Sequence, residues 1–254
     1  MTGARFREIA DDLRERIALG DIGGSGAMDS EAVLGQRYAA SRMTVRKALE
    51  LLRDQGLVDS RQGSGWFVSS GSFHQRLALG TFRHAQSAIA DTGATVQREV
   101  VGFAWERATA SVATLLGIAP EAQVLHITSV RSVDGVPLDS ATEYVAGAAA
   151  QAISRADAAS PGVWHTLARS GVDIASVRQT IAAGVAGPED RGPLGTPAGA
   201  PLLLIRRLAI GSDGAPVAVS DHRYLAHRFS LEVEFNGFAA GVSDSPPGLR
   251  DTGS

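Results

Sequence analysis

The stretch SRMTVRKALELLRDQGLVDSRQGSGWFV, residues 41–68, restricts the folds open to this chain more than any other. Val45, Ala48, Leu49 and Leu52 fall at i, i+3, i+4 and i+7, the spacing of one buried helical face. Ser41 is placed to cap that helix and Gly56 to end it. LVDSR and GWFV read as two short strands joined at Gln62-Gly63-Ser64-Gly65, where glycine supplies the turn. Upstream, Phe6, Ile9, Leu13 and Ile17 mark a first helix, which Gly20 and the GGSGA run end. Ser30 caps a short second helix carrying Val33, Leu34 and Tyr38, and only Ala39 and Ala40 separate it from Ser41. Helix, helix, tight turn, helix and hairpin is the order of a winged helix-turn-helix.

Arg42 and Arg46, one turn apart, lie opposite the apolar face of the third helix, within its first two turns. The helix dipole makes that end positive, so cations there do not serve helix stability. An arriving anion would relieve the conflict and find free backbone N–H groups. In a helix-turn-helix the N-terminal residues of the second helix enter the DNA major groove. The arginine fork fits guanine O6/N7 or a phosphate. Arg61, Gln62 and Gly63 on the hairpin would reach a neighbouring phosphate or the minor groove. The alternative is a solvated helix face whose arginines need no partner. A helix N-terminus, a tight turn and a basic glycine hairpin in one segment favour DNA.

The charge pattern agrees. The chain of 254 residues has a net charge of −3, which argues against coating nucleic acid wholesale. Residues 37–64 nevertheless hold six basic side chains, Lys47 among them, against three acidic ones. A local positive spot on an acidic body suits a small anionic contact surface. Cysteine is absent, which excludes disulfides, thiolate metal sites and a cysteine nucleophile. The histidines show neither HxxxH nor HxH spacing, and no G-x-S-x-G, P-loop or dinucleotide fingerprint occurs. Ser220, Asp221 and His222 are strand neighbours that alternate faces, so they cannot converge as a triad. Neither a cofactor nor a metal is expected, and the chain is not expected to be an enzyme. With no apolar run of about 18 residues and no signal peptide, it is expected to be a soluble cytoplasmic protein without a membrane partner.

SSGSFHQ, residues 69–75, has the composition of a linker, and beyond it the sequence turns to Ala, Val, Leu and Thr with scattered strands. The expected units are a DNA-binding domain over 1–70, a linker over 71–76, a second domain over 77–236 and a disordered tail over 237–254. The second part repeats itself. VLHITSVRSVDGVPLDSATEYV (124–145) resembles LLLIRRLAIGSDGAPVAVSDHRYL (202–225), offset by 78 residues before the turn and 79 after it. Each copy is a strand, an Asp-Gly turn with a following proline, and a second strand. A helix candidate precedes each, at 110–118 and 187–195. Two such hairpins imply one antiparallel sheet with helices packed on it, and the fold class is α+β.

Residues 5–68 resemble the signature of the GntR family of bacterial transcription regulators, with DSEAVLGQRYAA standing where the family usually reads Pro-Ser-Glu-Arg. The resemblance implies DNA contacts from Ser41, Arg42, Thr44 and Arg46, with Gln62 and Gly63 on the wing. Lys47 and Arg61 join them as basic neighbours. Two departures stand out: Ala32 replaces a common phosphate-binding arginine, and GGSGAMDSE lacks the usual proline. One lost charge-assisted contact costs about 1 kcal/mol or more. Residues 76–235 are similar, more diffusely, to the effector-binding UTRA domain of the HutC subfamily. That implies a chorismate-lyase-like fold, a small and often anionic metabolite as effector, and a homodimer.

Carried over by position, Thr81 and Arg83 (in GTFRHAQSAIA), Arg131, Glu143 and Arg207 are effector candidates, with His222 at the place equivalent to Glu143. Ser129, Ala218 and Leu225 depart from the family's arginine and glutamate positions. Alternatively Arg131 and Arg207 are surface strand residues, or Arg131 pairs with Glu143. The reading is a ligand-responsive dimeric regulator, a repressor on a palindromic DNA operator. Its rivals keep the fold but reduce the second domain to dimerisation, or make it a chorismate-lyase-like enzyme.

Overall fold

A computed structural model describes residues 2–22, 26–61, 63–69, 73–77 and 95–233. Gln62, Thr81, Arg83 and the tail expected after residue 236 lie outside the described residues.

The N-terminal unit is built as the hydrophobic spacing dictates. Helix α1 (Thr2–Ala18) buries Ile9, Leu13 and Ile17 against α2 (Glu31–Arg37) and α3 (Arg42–Asp54). The Ser30 hydroxyl accepts from the Val33 N–H, and the Ser41 hydroxyl from that of Thr44, so both expected caps satisfy helix-end donors. Val45, Ala48, Leu49 and Leu52 are fully buried. Truncating Leu49 to alanine there removes about 2–5 kcal/mol. Gly56 leaves the helix at a φ of +74°, a conformation that costs a side-chain-bearing residue strain. Strands β1 (Val58–Arg61) and β2 (Gly65–Val68) form the antiparallel hairpin, Arg61 opposite Gly65.

The second unit is a six-stranded antiparallel sheet. Its strands are β4 (Val96–Arg107), β5 (Gln123–Val133), β6 (Val136–Ala146), β7 (Ile174–Val185), β8 (Pro201–Gly211) and β9 (Pro216–Leu225), in the spatial order β4-β5-β6-β9-β8-β7. The repeated hairpins are β5–β6 and β8–β9, and they meet at the sheet centre, where Ala141 pairs with His222. The repeat extends further than the hairpins. β4 begins at Val96 and β7 at Ile174, the same 78-residue offset, so each half is strand, helix, hairpin. Helix α4 (Ala110–Leu116) serves the first half. A 3-10 turn (Pro188–Asp190) and α8 (Arg191–Leu194) serve the second.

Both hairpins carry the same irregularity beside their proline. Ser132 pairs with Pro137, yet the next pair is Arg131 with Asp139; Ile210 pairs with Pro216, and the next pair is Ala209 with Ala218. One extra residue follows each proline, which has no N–H to give the ladder. Everything beyond that bulge changes face relative to an unbroken register.

One sheet face is covered by α5 (Gly147–Gln151), α6 (Arg155–Ala159) and α7 (Val163–Arg169), with Leu125, Ile127, Val145, Trp164 and Leu167 in the core between. The other face receives α4 through Val112, Ala113 and Leu116 against Val124 and Val219. A strand, β3 (Phe73–Leu77), overlaps the segment expected as linker and runs parallel to β10 (Phe229–Val233). That pairing joins distant parts of the chain and has no local signal. Among the described residues no helix is long and apolar enough to cross a membrane.

Candidate nucleic-acid interface and effector site

Helix α3 presents Arg42, Met43, Arg46 and Lys47 outward from its first turns, with the Arg42 side chain 74% exposed. Between this face and the β1–β2 hairpin runs a groove of about 660 Å³, lined by Arg42, Arg46 and Arg53 on one side and Arg61, Gly63 and Trp66 on the other. Gly63 has a φ of +77°, and an added Cβ would meet nothing within 4 Å, so it forms an open hairpin tip. The Arg61 guanidinium stacks over the Phe67 ring, 4.4 Å from its centre, which holds the cation on the hairpin surface.

One residue that sequence reasoning passed over organises this face. Glu31, at the start of α2, accepts from Arg42 Nε at 2.7 Å, Arg46 Nε at 2.9 Å, Arg46 Nη2 at 3.0 Å and Trp66 Nε1 at 3.3 Å. Burial alone would raise its pKa. The hydrogen bonds from Arg46, Arg42 and Trp66 outweigh that and hold the group at about 2. Thr44 departs from its expected exposure: it is buried, and its hydroxyl lies 2.9 Å from that of Ser41. It faces inward because it stands one position before Val45 on the core side of the helix.

The second site lies on the helix-covered face of the sheet. Arg131, Glu143 and His222 come together around a cavity of only about 20 Å³, closed by Pro161–His165 from the α6–α7 corner and by Arg98 of β4. Arg207 sits on the same face one strand away and donates through Nε to Gln179 at 2.8 Å. The alternative that Arg131 and Arg207 are surface strand residues is excluded: they are 6% and 1% exposed. So is the suggested pairing of Arg131 with Glu143. Arg131 Nη2 donates to Asp139 Oδ2 at 3.1 Å, while its Nε lies 3.0 Å from Oδ1 but off line for a hydrogen bond. Glu143 pairs instead with Arg98, which also donates to Ser129 Oγ at 3.0 Å.

His222 Nδ1 stands 2.9 Å from Asp139 Oδ2. Burial and the nearby Arg207 push the imidazole down to about 3, with Asp139 opposing, so the ring is neutral at pH 7. A carboxylate only accepts, so Nδ1 carries the proton. Burial would raise the Asp139 carboxyl, but Arg131 and His222 hold it below its ordinary value. Asp139 and Arg98 were missed. The Pro137 bulge brings Asp139 opposite Arg131, and counting outward from the Asp134-Gly135 turn puts it on the other face. Among the described residues no cluster of His, Cys, Asp and Glu could hold a metal ion.

A winged helix-turn-helix joined to a sheet-rich domain of this kind is the architecture of a DNA-binding transcription regulator. The chain belongs to the gntR family of bacterial regulatory proteins, whose family model matches residues 6–68, and carries a UTRA domain over residues 91–230. It is of the HutC type, and a transcription regulator rather than an enzyme. It is 30% identical to the HTH-type transcriptional regulator Rv0792c of Mycobacterium tuberculosis, over 92% of this chain and 88% of that protein. It is 25% identical to the HTH-type transcriptional repressor NagR of Bacillus subtilis, over 89% of this chain and 92% of that one. The crystal structure of PhnF from Mycobacterium smegmatis shares the fold, with a TM-score of 0.59 at 20% identity, covering 91% of this chain and all of that one.

Proposed function

We propose that the protein is a cytoplasmic, homodimeric repressor that binds an inverted-repeat operator through α3 and the hairpin, and leaves it when a small anionic metabolite enters the UTRA domain. The observation that carries the reading is the groove in which Arg42 and Arg46 face Arg61 and Gly63 across a gap lined with basic side chains. A two-fold dimer would place two such grooves on the half-sites of a near-palindrome. Ser41, Arg42, Arg46, Lys47, Arg61 and Gly63 are the proposed DNA contacts. Gln62 joins them on family resemblance alone, and Thr44 acts through the helix cap. The name of NagR, a repressor, supports the sign of regulation. Gel-shift titration on the DNA upstream of the protein's own gene tests this: wild type should form a discrete complex that the R42A/R46A double variant fails to form.

The effector pocket is proposed around Arg98, Arg131, Arg207, Glu143 and His222, with Thr81 and Arg83 included on resemblance. A cavity of about 20 Å³ holds one water, not a metabolite. Glu143 on Arg98 and Asp139 on Arg131 occupy the places an acidic effector would take, so the ligand must displace at least one of them. The same filled site supports a second reading, in which the domain only dimerises. Thermal-shift screening with small carboxylates and phosphate monoesters separates the two, because a ligand of the native state raises the melting temperature. A stabilising anion supports the sensor; uniform indifference supports the dimerisation module.

A further inference from the structure

We infer that Glu31 is a positioning residue for DNA specificity: it fixes the orientation in which Arg42 and Arg46 offer their end-on forks to a base. The inference rests on the DNA-binding reading above. A carboxylate on a surface that meets phosphates is electrostatically adverse, so its presence calls for a reason. Glu31 is also unusually committed. Its side chain is 10% exposed, and its two oxygens accept four N–H groups drawn from α3 and from β2 of the hairpin. The hub therefore ties together helix α2, the recognition helix and the wing.

The two arginines are held differently. Arg46 gives Glu31 its Nε–Nη2 edge and keeps Nη1 and the outer N–H of Nη2 for DNA. Arg42 gives Nε alone and keeps its other N–H groups outside that bond. Each guanidinium therefore retains its end-on Nη1–Nη2 fork, the geometry that fits guanine O6/N7 or a phosphate, with its orientation fixed by Glu31. The arrangement has no signal in the sequence, where Glu31 stands 11 and 15 residues before the arginines it holds. Glu31 also subtracts charge from the groove, which lowers affinity for arbitrary DNA while leaving the oriented contacts in place. Discrimination gains on both counts.

Two variants test this in the full-length protein, measured by fluorescence anisotropy on two duplexes. One is the duplex that wild type enriches most strongly from a random library; the other is its scramble. In Glu31→Gln the scramble should bind more tightly than with wild type, and the ratio of affinities should fall about tenfold or more. Glu31→Asp keeps the charge but is one methylene too short to hold both arginines. It should lose discrimination without gaining affinity for the scramble. Unchanged discrimination in both variants, or an equal loss on both duplexes at an unchanged melting temperature, overturns the role of Glu31. Wild type that enriches no sequence at all defeats the DNA-binding reading beneath it, a result visible before either variant is made.

Discussion

The arginines of α3 and those of the sheet carry the same charge under opposite conditions. Arg42 and Arg46 stand in solvent and share one carboxylate, whereas Arg131 and Arg207 are buried in the sheet domain and Arg98 is largely covered there. Exposed ion pairs contribute about 0–1 kcal/mol, because water screens them and ordering the side chains offsets the gain. Buried ones cost several kcal/mol per ion to desolvate and persist only where geometry compensates. The surface pair is therefore arranged for presentation, and its loss should leave the fold intact. The interior pairs are structural unless a ligand replaces the internal carboxylate, and that exchange is what the proposed effector response requires.

The contrast breaks most visibly at Asp139. Asp139→Ala strands Arg131 and His222 in the interior, and urea unfolding should show a loss of about 3–5 kcal/mol. Arg42→Ala should stay within about 0.5 kcal/mol of wild type in the same assay. Equal losses from the two variants would erase the distinction.

On DNA the order reverses. Arg42→Ala should weaken binding to the enriched sequence by about ten- to a hundredfold and relax base preference at one position, read by anisotropy. Asp139→Ala, where it folds, should retain base preference.

Acid sharpens the comparison further. Unfolded, His222 titrates near 6.5; folded, only at about 3. Between those values the unfolded state binds more protons, so stability falls as pH falls, by about 1 kcal/mol per pH unit. Asp139, depressed from 3.8, extends the loss in the same direction below that value. His222→Gln should flatten the slope between pH 6 and 4 in chemical-denaturation curves. Glu31, at about 2, stays ionised throughout that window, so the clamp on the α3 arginines should not respond to it.

The smallest effect belongs to the hairpin. Arg61→Ala should weaken binding to all sequences alike and reduce the magnitude of the log–log salt slope by about one. A change in base preference instead would mean that Arg61 reads sequence.

Much of this was legible in the sequence because it is local. The Ser30 and Ser41 caps, the Gly56 stop, the apolar stripe of α3 and the hairpin signals each depend on residues within a turn of one another. The duplicated hairpins likewise announced the sheet. What escaped reading depends on register or on distant partners. A one-residue bulge after Pro137 decides that Asp139 and Glu143 face the same interior as Arg131, and no spacing rule reveals a bulge in advance. Arg98 reaches Glu143 from another strand, and β3 finds β10 across more than half the chain. By position Glu31 is simply an acid in the first turn of α2. Only the packing of α2 against α3 and the hairpin makes it a hub.

The central claim, that α3 and its wing exist to read duplex DNA, is tested most directly by selecting bound duplexes from a random library with wild type and the R42A/R46A double variant. The account predicts that wild type enriches an inverted repeat and that the double variant, folded to the same melting temperature, enriches none. Enrichment of the same repeat by both proteins, or of no sequence by wild type, would contradict it.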